Sequence, residues 1–149
     1  MIPSAARRVA HAALIALALV GCRVRLMAPY DPVLEQGVTQ IATDVSAFLT
    51  LAEAVAGTPD SAYRQHVPFY AKTQGALRVL RLRSEKEPNS ERVISQLDGI
   101  GRNLQRLRER HKARGDEGLA PDYIQTARTG FEVQFTSFFT MTAEMRRDR

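Results

Sequence analysis

One cysteine, Cys22, occurs in 149 residues. No intramolecular disulfide can form, so the fold has to be held by its core. A helix crossing a bilayer needs about 20 apolar residues. The longest apolar run covers only residues 9–20, and Arg23 and Arg25 close it. No internal repeat or low-complexity segment stands out, and no alternation of the strand type competes with helical spacing. Catalytic signatures are missing too. There is no Gly-x-Ser-x-Gly, no phosphate-binding glycine loop and no His-Glu-x-x-His, and no spacing joins serine and histidine into a triad. These absences point away from an enzyme.

What is present begins at the amino end. Arg7 and Arg8 form a basic stretch with no acidic residue before the apolar run Val9–Val20. This is the order of a secretory signal: basic region, apolar region, small residue before a cut. The run ends in Leu19-Val20-Gly21-Cys22. These four residues resemble the lipobox of bacterial lipoproteins, in which an aliphatic residue, a small or aliphatic one and a small one precede a cysteine. The resemblance covers residues 1–22. It implies diacylglycerol on the Cys22 sulfur, cleavage before Cys22 by the lipoprotein signal peptidase, and often a third acyl chain, commonly palmitate, on the new amine. Acylation would consume the one thiol. The pair Arg7-Arg8 lacks the rest of a twin-arginine pattern, which favours ordinary secretion. In lipoproteins an Asp after the cysteine tends to retain the protein at the inner membrane. Arg23 stands there instead, which implies the outer membrane, facing the periplasm.

Residues 1–21 are therefore expected to be a signal peptide, and 22–30 an acylated end with a short tether. Residues 31–149 would be one domain. Eight residues of tether reach about 28 Å at most, so the domain would sit close to the membrane. Arg7 and Arg8 leave with the signal, so the 21 basic residues fall to 19 against 16 acidic, a net charge of +3. That excess is too small to argue for nucleic acid.

The domain reads as four amphipathic helices. Asp31 is a candidate N-cap with Pro32 at the first helical position. Leu34, Val38, Ile41, Val45, Phe48, Ala52 and Val55 then recur at heptad spacing, and Gly57 and Pro59 end the helix. A second helix is expected from about Asp60 or Ser61 to Ser84, with Tyr63, Val67, Tyr70, Leu77 and Leu80 inward. Pro68 requires a kink or a separate first turn. The third, capped by Asn89 or Ser90, carries Val93, Leu97, Ile100, Leu104, Leu107 and His111. Its Gly99 and Gly101 are candidates for close helix approach. The fourth starts near Pro121 with Ile124, Ala127, Phe131, Phe135, Phe138, Thr142 and Met145. It holds five of the ten aromatic residues. The expected fold is all-α, an up-down-up-down antiparallel four-helix bundle, with the left-handed crossing that a 3.5-residue spacing implies.

Two constellations are candidate sites. A turn near Pro88-Asn89 pairs residues of helices two and three whose numbers sum to about 177, which sets His66 against His111. Facing imidazoles could ligate a metal or a haem iron; alternatively they are partly exposed polar caps. No third ligand is specified. The second candidate is a basic face with Arg102, Arg106 and Arg110, beside Lys72, Arg78, Arg81, Arg83 and Lys86. It could meet lipid phosphates or an acidic partner; alternatively it is a solvated exterior helped by pairs such as Asp98 with Arg102. The reading that follows is a non-enzymatic envelope lipoprotein. It is held to the membrane by lipid at Cys22, has no other cofactor, and binds an envelope protein or anionic surface through a helical module. The alternative is a metal or small-ligand carrier using the His66/His111 end.

Overall fold

The computed structural model describes residues 28–147. The expected signal peptide, the lipobox and Cys22 lie outside the described residues. The described chain is all-helical and forms an antiparallel four-helix bundle. Its long helices are α1 (Pro32–Ala54), α2 (Val67–Ser84), α3 (Glu91–Arg114) and α4 (Pro121–Arg147). They pack in a ring, α1 on α2, α2 on α3, α3 on α4 and α4 back on α1.

Local chemistry sets the ends. The Asp31 carboxylate accepts the Val33 N–H at 2.9 Å, as its N-cap position requires. It also accepts from Arg83 Nε at 2.5 Å, tying the start of α1 to the end of α2. Burial alone would raise the Asp31 pKa, but these bonds outweigh it and hold it below the usual carboxylate range. At the other end of α1, Gly57 adopts φ 77°. The chain then makes two 3₁₀ turns, Pro59–Ser61 and Tyr63–His66, before α2 begins. Pro68 sits in the first turn of α2, where its missing N–H costs no helical bond. The separate-turn alternative is the one realised. At α3 the cap differs from expectation. Ser90 holds the cap position, but its side chain makes no capping bond.

The packed chain starts before α1. Ala28 is buried, and its N–H donates to the Asn89 carbonyl at 3.1 Å. Ala28 therefore lies beside the α2–α3 turn and the end of α4. The histidines lie toward the opposite end, His111 being 20 residues, or about 30 Å, along α3 from its start at Glu91.

The seam is the expected one on α3 and nearly so on α1 and α4, where Leu49 and Met141 join it while Ala127 and Val55, just past the end of α1, are only half-buried. On α2 it differs. Val67 is 42% exposed, and the buried line is His66, Tyr70, Thr73, Leu77, Leu80 and Ser84. Thr73 and Ser84 enter because their hydroxyls bond back to the carbonyls of Phe69 and Leu80, at 2.8 and 3.0 Å. The α3 glycines let both neighbours approach. A Cβ on Gly101 would lie 3.2 Å from Leu77, and one on Gly99 would lie 2.8 Å from the Gln134 amide.

Candidate functional site

The far end of the bundle is built by the break after α1. Because the chain turns twice before α2, the carbonyls of Asp60 and Ser61 point inward instead of entering a helical ladder. His66 ends the second turn, and His111 lies in the last turn of α3. The antiparallel register sets the two rings 5.4 Å apart between centroids. Each is held through Nε2, His66 to the Asp60 carbonyl at 2.9 Å and His111 to the Ser61 carbonyl at 2.8 Å. A carbonyl can only accept, so both Nε2 atoms carry the proton. The Nδ1 of His111 is then an acceptor, and the Tyr70 hydroxyl donates to it at 3.0 Å.

Aromatic rings close the site. Phe48 of α1 stacks on Phe69 at 4.1 Å and meets His66 edge-on at 5.3 Å. Tyr63 meets His111 edge-on at 5.5 Å, and its hydroxyl accepts from Arg108 Nε at 3.1 Å. Gly118, at φ 69°, presses on Ser61; a Cβ there would come within 2.7 Å of the Ser61 carbonyl. Both histidines are buried, which corrects the reading of them as partly exposed caps. Tyr70 and His111 are each 1% exposed.

Burial sets the electrostatics. It pushes the His111 pKa below the usual imidazole value, against the Ser61 carbonyl, which favours the charged ring. Burial also pushes the Tyr70 phenol far above its usual value, so the hydroxyl keeps its proton. Among the described residues no buried side-chain nitrogen or oxygen lacks a hydrogen-bond partner. The network ties the α1–α2 connection to the end of α3. A metal at His111 would have to displace the Tyr70 hydroxyl or the Ser61 carbonyl. No group of three or more His, Cys, Asp or Glu that could hold an ion occurs among the described residues. Added zinc, copper or haem is expected to leave the melting temperature unchanged. A rise of several degrees, lost in both His66→Ala and His111→Ala, would establish a ligand site instead.

Arg102, Arg106 and Arg110 are all exposed on α3. Arg102 lies at the groove between α2 and α3. Arg110 lies over the Tyr123 ring of α4, 5.7 Å from its centroid. Arg102, Arg106 and Arg110 therefore step across the outer side of α3, from its α2 flank to its α4 flank. The expected Asp98–Arg102 pair is replaced. Asp98 accepts from Arg81 Nε across the α2–α3 interface at 2.8 Å.

A larger asymmetry was not read from the sequence. Helix α2 has four basic residues and no acidic one, and α3 has seven basic and three acidic. By contrast α1 has three acidic and no basic, and α4 is balanced at three each. The whole basic excess of the helices thus sits on one adjacent pair. Helix-by-helix counting would have found it, but pairing α2 with α3 needed the fold. Comparison with known proteins adds nothing to this geometry: no family model, curated protein or solved structure matches the chain.

Proposed function

We propose that the protein is a lipid-anchored lipoprotein of the bacterial cell envelope whose helical bundle acts as a non-enzymatic interaction module. The observation that carries the reading is the lone cysteine at the end of the apolar run, in Leu19-Val20-Gly21-Cys22. Two features of the described residues support it. No helix there is long and apolar enough to cross a membrane, so a membrane location would depend on the lipid. Ala28 is docked at one end of the bundle, six residues from Cys22, which allows about 20 Å of extended chain. The α2–α3 turn would face the membrane, with the histidine end farthest from it. Arg23 after the cysteine favours the outer membrane. The buried Tyr70–His111–Ser61 network serves as structure in this reading, and the polarised exterior serves binding.

The test is acylation. Radiolabelled palmitate is expected to enter the wild-type protein, which fractionates with membranes. Cys22→Ser is expected to take up no label and to keep the uncleaved signal. Label in the Cys22→Ser protein, or a soluble unlabelled wild type, would overturn the proposal.

A further inference from the structure

We propose that the groove between α2 and α3 is the docking site for an acidic amphipathic helix of a protein partner. This rests on the interaction-module reading and names the surface and the chemistry it would use. The groove has a volume of about 390 Å³, and its walls include Gln74, Leu77, Arg78, Leu97, Gly101 and Arg102. It is open where Gly101 contributes no side chain. Above and below that point the two helices are bridged by polar pairs. Arg81 meets Asp98 at 2.8 Å on the side nearer the amino end, and Gln74 meets Gln105 at 3.2 Å on the other. Between these bridges stand Arg78 and Arg102, one on each helix, both exposed and both lining the same opening. Neither has an ion pair among the described residues, because Asp98 is taken by Arg81. The opening thus holds three arginines, Arg78, Arg81 and Arg102, against one carboxylate, Asp98, which Arg81 engages. That is unfavourable for the free bundle and is relieved by an anionic ligand.

The apolar surface beside the arginines specifies a helix. Ala71, Gly75, Arg78 and Leu82 follow one another at steps of four, three and four. They form a second heptad line on α2, on its outer side. Leu82 is 50% exposed, and a Cβ on Gly75 would meet nothing within 4 Å. A helix laid along this line could set its own apolar residues against Ala71 and Leu82, with carboxylates reaching Arg78 and Arg102. Arg102 is eleven residues into α3, about 16 Å from the end where the chain enters. In the anchored protein that places the opening away from the headgroups, which favours a protein over a lipid.

The experiment uses the full chain in neutral detergent micelles and a fluorescein-labelled peptide of about 20 residues, with Leu at heptad positions and Glu elsewhere. Anisotropy is expected to show saturable binding that weakens with salt. Arg78→Glu with Arg102→Glu should weaken it at least about tenfold, while Arg110→Glu with Lys112→Glu should change it about twofold or less. The milder pair Arg78→Gln with Arg102→Gln, which adds no new charge, should move binding in the same direction. No binding by the wild type, or equal loss in the two reversed pairs, would overturn the groove. So would displacement of the peptide by phosphatidylglycerol mixed into the micelles, with dependence on the same arginines, since the site would then be a headgroup site. Palmitate labelling of the same variants separates the two readings. Label with no groove binding overturns the groove and leaves the lipoprotein intact; groove binding without label does the reverse.

Discussion

Phe138→Ala is expected to lower the unfolding free energy by about 3–5 kcal/mol, the usual cost of emptying an aromatic core site. Phe138 is 0% exposed and lies mid-stripe on α4, with Phe139 edge-on at 5.7 Å between ring centroids. One and two turns earlier, Phe135 and Phe131 stack on each other at 5.8 Å. Truncation removes a ring from a packed region that cannot close, because α4 is fixed on both flanks. On one side Glu53 of α1 holds Arg128 at 2.9 Å. On the other Gln96 of α3 holds Ser137 at 3.1 Å. Phe139→Ala supplies the comparison. Its ring is only half-buried, so it should lose less than half as much. Urea unfolding followed by circular dichroism measures both. A Phe138→Ala loss below about 1 kcal/mol would place that ring outside the cooperative core.

Most of the fold was legible because burial follows a repeat. On α1, α3 and α4 the residues at 3.5 spacing are the buried ones, and Asp31 with Pro32 marked a helix start that the backbone confirms. The α2 seam was misread for a specific reason. Hydrophobicity selected Val67, but the pair of 3₁₀ turns resets the register, and polar Thr73 and Ser84 fill the inward positions by bonding their own helix. The His66–His111 juxtaposition followed from antiparallel counting. What the rings do there did not, because the partners of both Nε2 atoms are backbone carbonyls, to which composition and spacing are blind. The Asp98 error has the same origin. A pair four residues apart on one helix is visible in sequence, whereas Arg81 reaches Asp98 only once two helices are packed. The bare charge of Arg102 depends on that choice of partner, since an Asp98 bonded to Arg102 would have left only Arg78 unpaired on the groove.

His111→Leu is expected to cost about 2–5 kcal/mol, because it leaves two buried partners, the Ser61 carbonyl and the Tyr70 hydroxyl, without their hydrogen bonds. Adding Tyr70→Phe removes one of those orphans. The double variant should therefore be less destabilised than the sum of the single ones. The same residue governs a pH dependence. Burial lowers the His111 pKa in the folded protein, so between that value and the ordinary imidazole value near 6.5 the unfolded chain binds a proton that the native ring refuses. Stability then rises with pH: the contribution is fully present above about pH 6.5 and is lost as pH falls toward the native value, by at most about 1.4 kcal/mol per pH unit. The charged or titratable groups around the ring are His66, Tyr63 and Tyr70, with Arg108 behind Tyr63. None of them offers a carboxylate to stabilise an imidazolium. A proton on Nδ1 would also face the hydrogen that Tyr70 now donates. Melting between about pH 5 and 8 keeps the measurement above the range where carboxylates such as Asp31 and Glu35 titrate. The difference between wild type and His111→Leu isolates this ring from His66, which both proteins retain. A wild-type stability that falls with acid while the variant stays flatter assigns the dependence to His111. Equal slopes in the two proteins would show that the buried ring is not the group that takes up the proton.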